Sequence, residues 1–269
     1  MERDPEVSGL LEITKSEPHI TVVRINRPER LNAISFELVT ELHDAFDDIA
    51  ADVECKVVIL TGAGRAFCAG LDLKDFGTPP ESGAHRHMPA GVDAQTFMSN
   101  LTVRMHDLPQ VIIAAVNGPA FGGGLALACA ADIRVASESA KFCSAFIRTG
   151  LSGTDIGITY LLPRLIGNAN AFDLILTGRD IDAAEALRMG LVSRVVADSE
   201  LDELALGYAR GMASYTASGL RTTKEVLWHN VEASSLTSAI ALEARNQNLL
   251  NYAPDVREYM EKYRKKTTG

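Results

Sequence analysis

The first half of the chain alternates short apolar runs with amphipathic stretches. His19 to Ile25 (HITVVRI) is rich in β-branched residues and runs into Asn26-Arg27-Pro28, so it reads as a strand closed by a turn. Ser35 is placed to cap a helix in which Phe36, Val39, Leu42, Phe46 and Ile49 recur at spacings of three and four, with acids on the opposite face. Lys56 to Leu60 (KVVIL) and Val111 to Val116 (VIIAAV) are continuous apolar runs, the pattern of strands covered on both faces. Strand and helix in alternation predict crossover units and a largely parallel sheet system of the α/β class.

Two stretches break the alternation. Lys74 to Val92 holds Gly77, Pro79, Pro80, Gly83, Pro89 and Gly91 with little periodicity, so it is expected to be a loop, either a binding lid or a plain surface excursion. After Val196 the strand signals stop. From Ser199 onward the pattern is that of three or four helices: Leu242, Arg245 and Leu249 fall on one amphipathic helix, and Tyr252-Ala253-Pro254 separates it from a last one. The expected organisation is an α/β core over residues 1–198 and a helical region over 199–269.

Composition narrows the function classes. Hydrophobic residues are 46% and charged residues 23% of the 269, ordinary for a globular chain able to bury a full core. The formal charge of −9 argues against a nucleic-acid partner, because phosphate contacts need concentrated Lys and Arg. Lys262, Arg264, Lys265 and Lys266 form the one basic cluster, read as a solvated tail or a phosphate contact. Cys55, Cys68, Cys129 and Cys143 lie far apart, without metal or disulfide spacing, and suit a reducing cytoplasm. His85 and His87 are close, but no third ligand lies nearby; they read as loop residues, and no metal site is expected. No apolar segment has the length of a membrane span or the character of a secretion signal, so a cytoplasmic protein without a membrane partner is expected.

Candidate chemistry sits in two glycine-bearing turns, each directly after an apolar strand. In LTGAGRAFCAGLDL (residues 60–73), Ala69-Gly70 leaves room for a ligand to approach the N–H of Leu71. Gly62-Ala63-Gly64 invites a dinucleotide-binding reading, but Phe67 stands where that fingerprint needs a small residue; a plain structural turn is the other alternative. In AVNGPAFGGGLA (residues 115–126), Gly122, Gly123 and Gly124 precede a small-residue stretch that can form a tight helix, whose start would aim free N–H groups and a positive dipole end at a ligand over Gly123. Close helix packing would explain the glycines equally well. Taken together, two backbone donors presented this way are what an oxygen gaining negative charge requires.

These blocks, with RINRPERLNA and LTGRDIDAAEALRMGLV in the same order, resemble the crotonase, or enoyl-CoA hydratase/isomerase, superfamily over about Leu11 to Val196. The resemblance implies a spiral of ββα units with a C-terminal helical trimerisation region, assembled as a homotrimer or a hexamer of paired trimers. It implies an acyl-CoA substrate, with coenzyme A as part of the substrate and no separate cofactor. It makes the N–H groups of Leu71 and Gly123 an oxyanion hole for the thioester enolate. It also implies backbone near Ala69 and Asp72 holding the adenine, with Arg30 and Lys74 available to the phosphates and Leu73, Gly122 and Phe146 beside the substrate.

The chain departs from that family where hydratases carry two glutamates. Ala126 and Phe146 stand there, and neither can move a proton or orient a water. Asp155, in GLSGTDIGITYLLPR, resembles the aspartate of dienoyl-CoA isomerases, with one residue more after Gly150-Leu151 than that pattern has. In an apolar pocket its pKa would rise and suit acid–base work; as a residue just before a helical run, it could instead cap the helix. Three readings follow: an enzyme of the hydratase/isomerase type using Asp155; an isomerase, thioester hydrolase or C–C lyase of the same family; and an acyl-CoA binding protein without catalysis.

Overall fold

The apolar runs become the centre of a seven-stranded sheet in the computed structural model, which describes residues 6–267. Its strands are β1 (Glu6–Ser8), β2 (Leu11–Glu17), β3 (Ile20–Ile25), β4 (Val57–Gly62), β5 (Val111–Val116), β7 (Ile133–Ser137) and β10 (Arg194–Val196), side by side in that order. The β1–β2 and β2–β3 pairs are antiparallel, and every pair from β3 to β10 is parallel. A smaller sheet holds β6 (Ala120–Phe121), β8 (Lys141–Cys143) and β9 (Asp180–Asp182).

The chain repeats one path: main-sheet strand, short excursion into the second layer, helix. β5, β6 and α3 (Gly123–Ala130) follow it, and so do β7, β8 and α4 (Ile158–Thr177). After β4 the second-layer position is filled by the isolated pairing of Cys68 with Ala120, before α2 (Ala94–Asp107); after β3 it is filled by Ile34 with Leu71, before α1 (Phe36–Ala51). These are the ββα turns of the expected spiral, with α5 (Ala183–Met189) between β9 and β10.

The unbroken apolar runs have a simple cause. All six residues of β4 and of β5 are buried, and successive residues serve different cores. Val58, Leu60, Ile112, Ala114 and Val116 face the main core with α1, α2 and α3. Val57, Ile59, Ile113 and Ala115 face a second core, closed by Leu201, Ala205 and Ala209 of α6 (Leu201–Ala213). The period of two survives, but both phases are apolar because both faces are covered. Beyond α6 lie α7 (Ala217–Asn230), α8 (Leu236–Leu250) and α9 (Pro254–Thr267). Buried Lys224 ties α7 to the core: its ammonium meets Asp132 at 3.0 Å and the carbonyls of Met105 and Gln110, while Trp228 donates to the other oxygen of Asp132. Among the described residues, no helix is long and apolar enough to cross a membrane.

Ser35 caps α1 as its sequence suggests, accepting the Leu38 N–H. The apolar face of α1 also carries buried His43, at i+7 from Phe36 and i+4 from Val39. The 74–92 segment is a loop, and its middle is fastened to α1. His85 and Arg86 meet Asp44 at 3.2 and 3.0 Å, and His87 meets Asp47 at 2.9 Å. The His87 ring stacks on that of His43, centroids 4.4 Å apart. His43 donates from Nε2 to the Phe97 carbonyl, and its Nδ1 is buried without a partner. Burial pushes the His43 imidazole down to about 4, against the pull of the Phe97 carbonyl.

His43 is therefore neutral in the fold but takes a proton in the unfolded chain near its ordinary pKa of about 6.5, so acidification from there towards 4 favours unfolding. The expected loss from this residue over that window is on the order of 2–3 kcal/mol. Urea unfolding of wild type and His43→Gln at pH 7 and pH 4.5 checks it. The variant should lose distinctly less stability on acidification; parallel losses would refute the assignment.

Candidate active site

Two turns meet at the edge between the main sheet and the second layer. The first leaves β4 at Gly62 and is shaped by buried Asn32, whose amide donates to the carbonyls of Ala63 and Ala66 at 2.9 and 2.7 Å and whose Oδ1 accepts the Arg27 N–H. Its end pairs with Ile34: the Ile34 N–H donates to Gly70 O at 2.7 Å, and the Asp72 N–H donates to Ile34 O at 2.9 Å. The Leu71 N–H lies between those bonds and has no acceptor among the described residues. The second turn leaves β6, where the Gly122 N–H donates to Cys143 O at 2.9 Å, and α3 begins at Gly123. As the first helical residue, Gly123 has no carbonyl four residues back in the helix to bond its N–H.

The turns touch through backbone. Gly70 has φ of 92°, and a methyl group on it would stand 2.8 Å from Phe121 O and 3.6 Å from the Gly123 nitrogen. A methyl on Gly124 would stand 2.0 Å from Cys68 O. Two free donors therefore sit on adjoining loops at the positive end of α3, an arrangement able to stabilise a developing oxyanion. The walls are apolar. Ile34 and Ile156 crowd Gly123, and the Phe146 ring lies 3.8 Å from where a Gly122 methyl would be. Leu71, Leu73 and Phe76 are exposed, while Ala126 is fully buried in α3.

Asp155 stands one residue from the Ile156 side chain that packs on Gly123. Ile156 is β-branched yet has φ of 47°, a left-handed conformation costing on the order of 1–3 kcal/mol. That turn folds the half-buried Asp155 carboxyl back, so that Oδ1 accepts the N–H of Ile156 at 2.8 Å and a bond from the Gln95 amide. Helix capping is not its work: the N-cap of α4 is Gly157, and only the Asp155 backbone carbonyl bonds the first helical N–H, that of Ile158. Burial raises the Asp155 pKa above its ordinary value, with Ile156 and Gln95 opposing.

The other residues singled out in the sequence are bonded within the first turn or exposed beside it. Asp72 is 3% exposed. Its carboxylate receives Arg27 at 3.1 Å, Arg30 through two nitrogens, and the N–H groups of Lys74 and Asp75. Burial alone would raise its pKa, but the Arg30 bond and the two N–H donors outweigh it and hold the carboxyl at about 2. Asp72 and Arg30 thus clamp the first turn. Lys74 is exposed beside them, and the Ala69 N–H donates to Leu31 O at 3.0 Å.

The model for the enoyl-CoA hydratase/isomerase family matches residues 15–268. The chain belongs to that family. It is 41% identical over 239 residues to the protein named “Probable enoyl-CoA hydratase EchA12” of Mycobacterium tuberculosis, covering 89% of this chain and 84% of that one. It is 37% identical over 242 residues to 1,2-epoxyphenylacetyl-CoA isomerase of Escherichia coli, with 90% of each covered. The solved enoyl-CoA hydratase of Bacillus anthracis superposes with a TM-score of 0.86 at 34% identity, over 96% of both chains. The protein is an enzyme of the hydratase/isomerase family with the crotonase fold, its α/β spiral followed by C-terminal helices.

Within this family member, sequence reasoning missed Asn32 and Arg27, which build the first turn, and Gln95, which holds Asp155. Asn32, inside RINRPERLNA, could have been suspected because Asn tolerates the left-handed φ of 57° it adopts. Gln95 gave no signal, lying sixty residues from its partner.

The contact of Gly124 with Cys68 O predicts different tolerances at neighbouring positions. Gly124→Ala must push backbone apart and should cost about 3 kcal/mol or more in urea unfolding, whereas Gly123→Ala meets only the movable side-chain tips of Ile34 and Ile156 and should cost about 1 kcal/mol. Equal losses would contradict the backbone contact described here.

Proposed function

We propose that this protein acts on an acyl-CoA thioester and shifts a double bond, using the N–H groups of Leu71 and Gly123 as the oxyanion hole and Asp155 as the single acid–base group. The observation that carries this reading is the Asp155 carboxyl: half-buried, raised in pKa, and held on a strained turn beside Gly123. In a β,γ-unsaturated thioester, Asp155 takes the proton from C2 and the C–H electron pair becomes the C1–C2 double bond of a dienolate. Its charge on the thioester oxygen meets the two N–H donors. Return of that proton from Asp155 to C4 moves the original double bond into conjugation, and the carboxylate is regenerated.

Hydration asks for more, namely one group to orient water and another to deliver a proton. With Ala126 and Phe146 at the positions of the hydratase glutamates, one carboxyl suits a shuttle between carbons better. Exposed Leu71, Leu73 and Phe76 support an acyl or pantetheine contact. For the remainder of coenzyme A, the Ala69 carbonyl suits the adenine and Lys74 the phosphates. Assembly as a trimer or paired trimers is supported by the exposed Leu227, Val231, Leu236, Ile240, Leu249 and Tyr252 on and beside α7 and α8. A cytoplasmic role in fatty-acid metabolism accords with the lack of disulfides among the described cysteines.

The test compares wild type and Asp155→Asn on 3-enoyl-CoA and crotonyl-CoA. Isomerisation should fall by about 10²–10⁴-fold in the variant while acyl-CoA binding, measured by calorimetry, persists. Undiminished turnover in Asp155→Asn would remove the assignment, and tight binding with no turnover by wild type on any enoyl-CoA would favour a binding protein.

A further inference from the structure

The side chain that fixes Asp155 is supplied by α2, whose start lies immediately beyond the 74–92 loop. Asp93 caps that helix, accepting the Thr96 N–H at 2.7 Å, so its first turn is rigidly placed. From this turn Gln95 extends its amide to Asp155 Oδ1, with Ser99 Oγ as a second partner at 3.3 Å. The Ile156 N–H donates to the same Oδ1. Both donors thus converge on one carboxylate oxygen, and Oδ2 accepts no bond from the described residues.

We propose that Gln95 is a positioning residue for the acid–base group: its amide locks the carboxyl of Asp155 through Oδ1 and leaves Oδ2 as the oxygen that takes and returns the substrate proton. This rests on the reading of Asp155 as the acid–base group. Three features carry it. The two donors act on the same oxygen, so the carboxyl cannot rotate without breaking both bonds. Ile156 is held in a left-handed conformation, which an isolated chain would leave, and the Gln95 bond ties the adjoining carboxyl to a second element, α2. Gln95 is exposed, so its side chain is not part of the core. An N–H donated to a carboxylate favours its charged form, so Gln95 also moderates the upward push of burial on Asp155.

A consequence is that the loop and the base are mechanically joined. Gln95 lies three residues after Val92, and the middle of the loop is fastened to α1 by His85, Arg86 and His87. Placement of the α2 start therefore sets both the edge of the pocket and the orientation of its acid–base group.

The experiment follows the Asp155 carboxyl carbon by ¹³C NMR titration in the full-length protein, beside the pH profile of kcat/KM for 3-enoyl-CoA, in wild type, Gln95→Leu, Gln95→Lys and Asp155→Asn. Gln95→Leu should move the Asp155 titration and the acid limb upward by roughly half to one pH unit, and lower kcat about tenfold with little change in KM. Gln95→Lys, which places a cation there, should move both downward. Opposite shifts are not produced by general damage to the pocket. If neither variant moves the Asp155 titration, the positioning role is wrong. If the acid limb survives Asp155→Asn, it is the acid–base assignment that fails, and the NMR titration still reports on Gln95 separately.

Discussion

Everything at the pocket depends on a backbone-to-backbone contact between two turns. The Cys68 carbonyl occupies the space that a side chain on Gly124 would need, and the Phe121 carbonyl crowds Gly70 in the same way. Where carbonyls and glycines meet without side chains between them, the relative position of the Leu71 and Gly123 N–H groups is set by the main chain. Side-chain identity at Leu71 then has no bearing on the donor, and the fold presents two N–H groups side by side before any side chain is added. The surrounding polar groups serve that geometry. Asn32 shapes the first turn from inside, and buried Asp72 gathers Arg27 and Arg30 against it from outside. Breaking such a buried charge cluster by removing one member is costly, because the remaining charges lose their partners.

The surroundings of Asp155 are built on different principles. Asp155 stands on strained backbone beside Ile156, and its protonation reflects competition between burial and two N–H donors. Burial prevails, which moves the carboxyl towards the range where it can both take and return a proton. Asp72 has the opposite balance: it is more deeply buried, yet five donors hold it charged. The two aspartates thus differ in protonation because Asp72 receives five donors and Asp155 only two.

How much of this was legible from the sequence follows from the range of the interactions involved. The runs KVVIL and VIIAAV announced doubly covered strands because each phase of the strand meets its own core. Ser35, the 74–92 loop, the glycine turns and the break before α9 are likewise local features that a short window contains. Asp155 does not cap α4, because a left-handed Ile156 moves the cap on to Gly157, and nothing in the residue types signals a β-branched side chain in that conformation. His85 and His87 read as bland loop residues since their partners, Asp44 and Asp47, lie forty residues away on α1. Gln95 with Asp155, and Lys224 with Asp132, are more distant still, and such pairings exist only once topology has brought the elements together.

The central claim joins a backbone oxyanion hole to one carboxyl, and proton exchange tests that union apart from any particular product. A saturated acyl-CoA incubated in D₂O should exchange its α-hydrogens in the presence of wild type, seen as loss of the C2 proton signal by NMR, and should keep them with Asp155→Asn although both proteins bind the thioester. Undiminished exchange with Asp155→Asn, or none with wild type while the thioester is bound, would contradict the account.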